Sequence, residues 1–190
     1  RLINERPDVK RGGKPFVLEE IRMDDEQTYK LLQTGETKGV FQLESSGMQG
    51  LFKDLKPTSF EDIVAAVALY RPGPLGTGMV KDFVDCRHGR KPIQSLHPKV
   101  DELLKPTYGV IVYQEQVMQI AQLLAGYSLG GADLLRRAMG KKKPEEMAKQ
   151  KSTFVEGSLN NGVTEADAVK IFELLEFFAG YGFKIGRAHV

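Results

Sequence analysis

The chain has 190 residues, 41% hydrophobic and 27% charged, with a formal net charge of +2, a balance that fits a globular chain and excludes a disordered or fibrous one. No apolar run approaches the roughly 20 residues that cross a bilayer, and no signal peptide is read, so no membrane is expected and the expected compartment is the cytosol. Cys86 is the single cysteine and forms no internal disulfide, and with three scattered histidines it gives no zinc-ligand spacing.

In chain order, residues 1–15 are polar, carry Gly and Pro, and read as a linker. FVLEEI (16–21) reads as a short strand. Asp24 or Asp25 caps a helix through EQTYKLLQ (26–33), and Gly35 ends it. KGVFQL (38–43) alternates and reads as extended; ESSGMQGLFKDL (44–55) reads as a glycine-weakened helix stopped by Pro57. Ser59 opens SFEDIVAAVALY (59–70), with Asp62 in the Glu/Gln place of a capping box. That helix is apolar nearly all round, so burial is expected. RPGPLGTG (71–78) cannot continue it.

GMVKDFVDCRHG (78–89) and HPKVDELL (97–104) are further helices, the second with Pro98 near its start. TYGVIVYQ (107–114) holds a β-branched run and reads as a strand. QEQVMQIAQLLAG (114–126) is an amphipathic helix ended by Gly126. Ser128, Gly130 and Gly131 precede ADLLRRAMG (132–140), a helix that Gly140 is expected to end. Pro144 suits the first turn of PEEMAKQKSTFVEGSL (144–159), and Thr164 caps TEADAVKIFELLEFFAG (164–180). The expected fold is mainly α, with one or two short strands.

Positive charge is concentrated. Between Arg136 and Lys151 seven cations face only Glu145 and Glu146, a local excess of +5 in a chain whose total is +2. Arg136 and Arg137 point about 100° apart on a helix, and a guanidinium fork grips phosphate oxygens where an ammonium acts as a point charge. Turning at Gly140 would lead Lys141, Lys142 and Lys143 off the helix axis. The set suits a polyanion, a nucleoside triphosphate or a nucleic-acid backbone. The competing reading is that these cations only complement a helix C-terminus or solvate a surface.

RPGPLGTG either presents Arg71 and the bare backbone around Gly73 to a ligand or is a rigid corner between helices. Tyr113 and Gln114, where the apolar run meets the next helix, either rim a cleft or initiate that helix. SLGGADLL (128–135) places exposed amides at a helix start, but no GK[ST] follows and Asp133 would repel an anion there. Two-metal transfer needs clustered carboxylates. The acidic pairs here sit at expected helix starts, where they serve the dipole, so no catalytic residue and no metal ligand is assigned.

FQLESSGM, VALYRPGPLGTGMV, PTYGVIVYQEQVMQIAQLLAGYSLGGADLLRRAMGKKKPEEMAKQ and FAGYGF occur in this order. Together they resemble the C-family replicative polymerases, the alpha subunits of bacterial DNA polymerase III, and the main replicative type more than the error-prone one. The resemblance runs from about Thr37 to Phe183. It implies that residues 37–183 are a truncated fingers domain and that residues 1–36 are a linker and lead-in helix following the palm. The Mg²⁺-binding aspartates would lie in that palm, outside this chain, so the fragment alone is expected to be inactive. Primer–template DNA, deoxynucleoside triphosphates and, through other regions, a sliding clamp and further replicase subunits are the implied partners.

On this resemblance Arg136 and Arg137 are expected on the triphosphate, with Arg71, Gly73, Tyr113 and Gln114 around the incoming nucleotide and Lys141, Lys142 and Lys143 beside it or on DNA phosphates. After GYGF the chain departs from the family, and IGRAHV is the translation of a common short-read sequencing adapter. Residues 184–190 are therefore expected to be a non-native tail. Two other readings stand beside this one: a stand-alone helical nucleic-acid-binding module, and a helical protein-interaction domain with Lys141–Lys143 as a solvated face.

Overall fold

A computed structural model describes residues 5–6, 15, 17–141 and 143–179. The linker reading of residues 1–15, apart from residues 5, 6 and 15, and the GYGF motif, the 184–190 tail and Lys142 lie outside them. The helices are α1 (Glu26–Thr34), α2 (Ser46–Leu55), α3 (Phe60–Leu69), the single turn α4 (Pro72–Leu75), α5 (Met79–Arg87), α6 (Pro98–Leu104), α7 (Gln114–Ala125), α8 (Leu129–Lys141), α9 (Pro144–Asn160) and α10 (Glu165–Ala179).

Local chemistry sets most of these boundaries. The Asp25 carboxylate accepts from the backbone N–H groups of Gln27 and Thr28 to open α1. The Ser59 and Asp62 side chains form a reciprocal capping box on α3. Gly35 and Gly126 stop α1 and α7 in the left-handed region, at φ 70° in both cases.

Two apolar clusters result. The first gathers Phe52, Leu55, Leu69 and Phe83 from α2, α3 and α5. The second gathers Ile120, Leu124, Leu135, Met139, Phe154 and Phe172 from α7 to α10. At Gly157, α9 passes against α7 so closely that a β-carbon there would lie 2.3 Å from the Ala125 carbonyl oxygen. The segment between the clusters serves both, since Ile111 packs into the second and its neighbour Val112 into the first.

Three readings are corrected. No β-strand forms among the described residues. In FVLEEI, Leu18–Glu20 is a 3₁₀ turn whose apolar neighbours stay exposed, so nothing rewards pairing. In KGVFQL, successive turns close from Val40 to Thr37 and from Leu43 to Val40, leaving Phe41 86% exposed. In TYGVIVYQ, the N–H groups of Val112 and Tyr113 both donate to the Gln116 Oε1, at 2.8 and 3.0 Å, and only an isolated bridge at Tyr113 remains of the expected strand.

The α8 boundaries also differ. The Ser128 hydroxyl accepts from the Gly131 N–H at 3.1 Å, which draws Gly130 and Gly131 into the helix. The helix runs through Gly140 to Lys141, and Lys143 is extended ahead of Pro144. A residue before proline is steered out of the α region, so Pro144 stops this helix where Gly140 was expected to. Finally, RPGP does hold a helical turn, α4, with Pro72 at its first position, where the missing N–H costs nothing.

Candidate functional site

The cation-rich run folds along the C-terminal half of α8 and the start of α9, and Arg136, Arg137, Lys143 and Lys151 pair with carboxylates. Asp133 stands three and four residues before Arg136 and Arg137, one helical turn away. Its Oδ1 accepts from the Arg136 Nε and Nη2 at 3.0 and 2.8 Å, and its Oδ2 lies 2.7 Å from the Arg137 Nε. The Asp133 carboxyl is held below its ordinary value, first by the hydrogen bond from Arg136 against a desolvation push upward, then by the charges of both arginines.

Arg136 makes one contact beyond its own helix. Its Nη1 donates to the Gln114 Oε1 at 3.2 Å, tying the first residue of α7 to α8. The two arginines therefore differ. Arg136 has a side chain 23% exposed and bound on two sides, and Arg137 has one 64% exposed. Two of the residues singled out from sequence, Arg136 and Gln114, are brought into direct contact, and Tyr113 is Gln114's chain neighbour.

Tyr113 packs against the first cluster. Burial, aided by the negative charges of Glu61, Asp62 and Glu115, pushes its phenol up to about 12, so it is a neutral hydroxyl at any physiological pH. Beneath it lies a hub absent from the sequence reading. Gln116, 5% exposed, accepts from two backbone N–H groups through its Oε1 and donates through its Nε2 to the Thr107 hydroxyl at 2.7 Å. This fixes the Tyr113–Gln114 corner from below. Gln at the third position after a helix cap was a readable signal.

Arg71 follows α3. Its Nε donates to the Ala68 carbonyl at 2.9 Å, and desolvation lowers its pKa. Gly73 lies in the α4 turn. Of the lysines, Lys143 reaches Glu146 at 3.4 Å, and Lys151, within the same basic window, reaches Glu173 of α10 at 3.0 Å. Lys141 and Lys149 have no carboxylate partner among the described residues.

Asp62 anchors another charge cluster. It accepts a two-pronged contact from Arg87, at 2.9 and 2.5 Å, together with the N–H groups of Thr58 and Ser59. The spacing of 25 residues gave no sequence signal. Among the described residues no three His, Cys, Asp or Glu side chains come together as a metal-holding set, and no helix is long and apolar enough to cross a membrane.

Residues 4–162 match the family described as the bacterial DNA polymerase III alpha subunit finger domain. The chain is 58% identical over 187 residues to the DNA polymerase III subunit alpha of Pseudomonas aeruginosa. It is 57% identical over 187 residues to that of Escherichia coli K12, and 58% identical over 188 residues to that of Vibrio cholerae. Each match covers 96% of this chain and 16% of the relative, so the chain spans about one sixth of the length of these proteins.

Proposed function

Because the chain belongs to the finger-domain family of the bacterial DNA polymerase III alpha subunit, we propose that it is the part of a template-directed DNA polymerase that receives the incoming deoxynucleoside triphosphate and the adjoining template. Residues 37–183 form part of the fingers in this reading, and residues 1–36 lead in from the palm. Nucleotidyl transfer develops negative charge on a triphosphate, and cations aimed at that charge lower the barrier.

The observation that carries the reading is the Gln114–Arg136–Asp133 group. It holds the Arg136 guanidinium at a corner between helices, and its carboxylate also pairs with the more exposed Arg137. An arriving polyphosphate carries more charge than Asp133 and competes for the same donors, while Gln114 keeps the Arg136 fork aimed. Arg71, Gly73 and Tyr113 complete the nucleotide side, and Lys141, Lys142 and Lys143 supply the surrounding field.

The family resemblance implies that Mg²⁺ would be held in the palm, and no step is routed through it here. The segment by itself is expected to be inactive. In the intact protein, primer–template DNA, other replicase subunits and a sliding clamp are the partners, in the cytoplasm.

Arg136→Ala in the full-length subunit tests the reading. A hydrogen bond to a charged group contributes about 1.5–3 kcal/mol, so nucleotide KM should rise or kcat fall roughly 10- to 100-fold. The urea midpoint should move little, because Arg137 still neutralises Asp133. Unchanged kinetics would remove Arg136 from the nucleotide site.

A further inference from the structure

The Gln116 amide is occupied at both ends. Its Oε1 takes the N–H groups of Val112 and Tyr113, and its Nε2 donates to the Thr107 hydroxyl. Two donors on one side settle which end of the amide faces the corner, because an amide nitrogen accepts nothing. The Thr107 hydroxyl in turn donates to the carbonyl of Leu104, the last residue of α6, at 3.2 Å. A line of side-chain bonds thus runs from α6 to the start of α7, and Gln114 continues it to Arg136 on α8.

We infer that Gln116 and Thr107 are positioning residues for the nucleotide site, setting the start of α7 and, through Gln114, the direction of the Arg136 fork. The inference rests on the assignment of Arg136 to the triphosphate and adds two buried residues to it.

Three observations carry it. Thr107 and Gln116 are only 2% and 5% exposed, so a lost bond strands a polar group instead of exchanging it for water. Gln116 grips the N–H of Tyr113, the residue directly before Gln114, so a shift of the corner carries Gln114 with it. The Asp133 contacts of Arg136 travel with α8, and among the described residues the Gln114 contact is what refers the fork to another helix. At 3.2 Å that contact stands at the long end of the N–H···O range, and a small displacement of Gln114 opens it.

The test uses the full-length subunit with Gln116→Met, Thr107→Val and Thr107→Ser, reading nucleotide KM at saturating primer–template and the urea midpoint. Met keeps the length of Gln without the amide, Val keeps the shape of Thr without the hydroxyl, and Ser keeps the hydroxyl. Gln116→Met should raise nucleotide KM about 3- to 10-fold, the effect of weakening one charge-assisted hydrogen bond. Thr107→Val should raise it by a smaller factor, and Thr107→Ser should give most of that back. A merely structural role leaves a different signature. Partial unfolding lowers the active fraction and the apparent kcat but not KM, and a packing role makes Ser worse than Val. On a Gln114→Ala background Gln116→Met should add less than about twofold, because the two act along one path.

An unchanged KM in Gln116→Met overturns the inference, as does its full effect on top of Gln114→Ala. If Gln116→Met does not fold, the Thr107 pair decides, and wild-type KM in both overturns it. Arg136→Ala, measured alongside, separates the two readings. If it raises KM and Gln116→Met does not, the positioning role alone fails. If it leaves nucleotide kinetics intact, the nucleotide assignment fails and the positioning role with it.

Discussion

Phe154→Ala is expected to destabilise the chain by about 3–5 kcal/mol, near the top of that range. Phe154 is fully buried on α9, with its ring centroid 5.6 Å from Phe172 and 6.5 Å from Tyr127. Its removal takes away contacts with α10 and with the loop after α7 together. Such a loss is milder where helices can close on the gap. Here they cannot, because α9 already touches the α7 backbone at Gly157. Urea denaturation followed by far-UV circular dichroism should show a lowered midpoint with little change in slope. A shift under 1 kcal/mol would mean that the second cluster is not packed as described.

Arg87→Met should destabilise by about 3 kcal/mol at neutral pH. The Arg87 and Asp62 side chains are 11% and 8% exposed. Losing Arg87 strands a buried carboxylate, although Thr58 and Ser59 still donate to it, which holds the effect at the low end. The pH dependence follows from the sign of the shift. Desolvation pushes the Asp62 carboxyl up, but the hydrogen bond from Arg87, the Thr58 N–H and the Arg87 charge outweigh it, and the net pKa is below the ordinary value. A group with a depressed folded pKa contributes stability above its unfolded value, about 3.9, and loses it as pH falls through the folded one. The gap between wild type and variant should therefore be full at pH 7 and shrink below about pH 4. A gap independent of pH would show that packing, not charge, is what Arg87 supplies.

What the sequence made legible, and what it did not, divides by distance along the chain. The caps at Asp25 and Ser59, the stops at Gly35 and Gly126 and the apolar stripes of α7 and α10 are local, so neighbouring residues announce them. The strand reading of GVIVY failed because β-branched residues mark only a preference for extended backbone. Whether a strand forms is decided by what meets those backbone groups, and here the N–H groups of Val112 and Tyr113 go to Gln116.

At the candidate site the cations were plain and their counter-charges were not. Asp133 was read as an obstacle to anions at a helix start, although its spacing to Arg136 and Arg137 suits ion pairs. Glu173 reaches Lys151 from a helix 22 residues on, and no pattern signals that. Once these pairs are taken into account, Lys141 and Lys149 stand out from the rest of the run.

The most direct test is the structure of the full-length subunit bound to primer–template DNA and an incoming deoxynucleoside triphosphate. The account predicts an Arg136 nitrogen within about 3 Å of a triphosphate oxygen, with Gln114 still holding the other side of the fork. An Arg136 still paired only to Asp133, with no phosphorus atom within roughly 8 Å, the screening length at physiological salt, would contradict it.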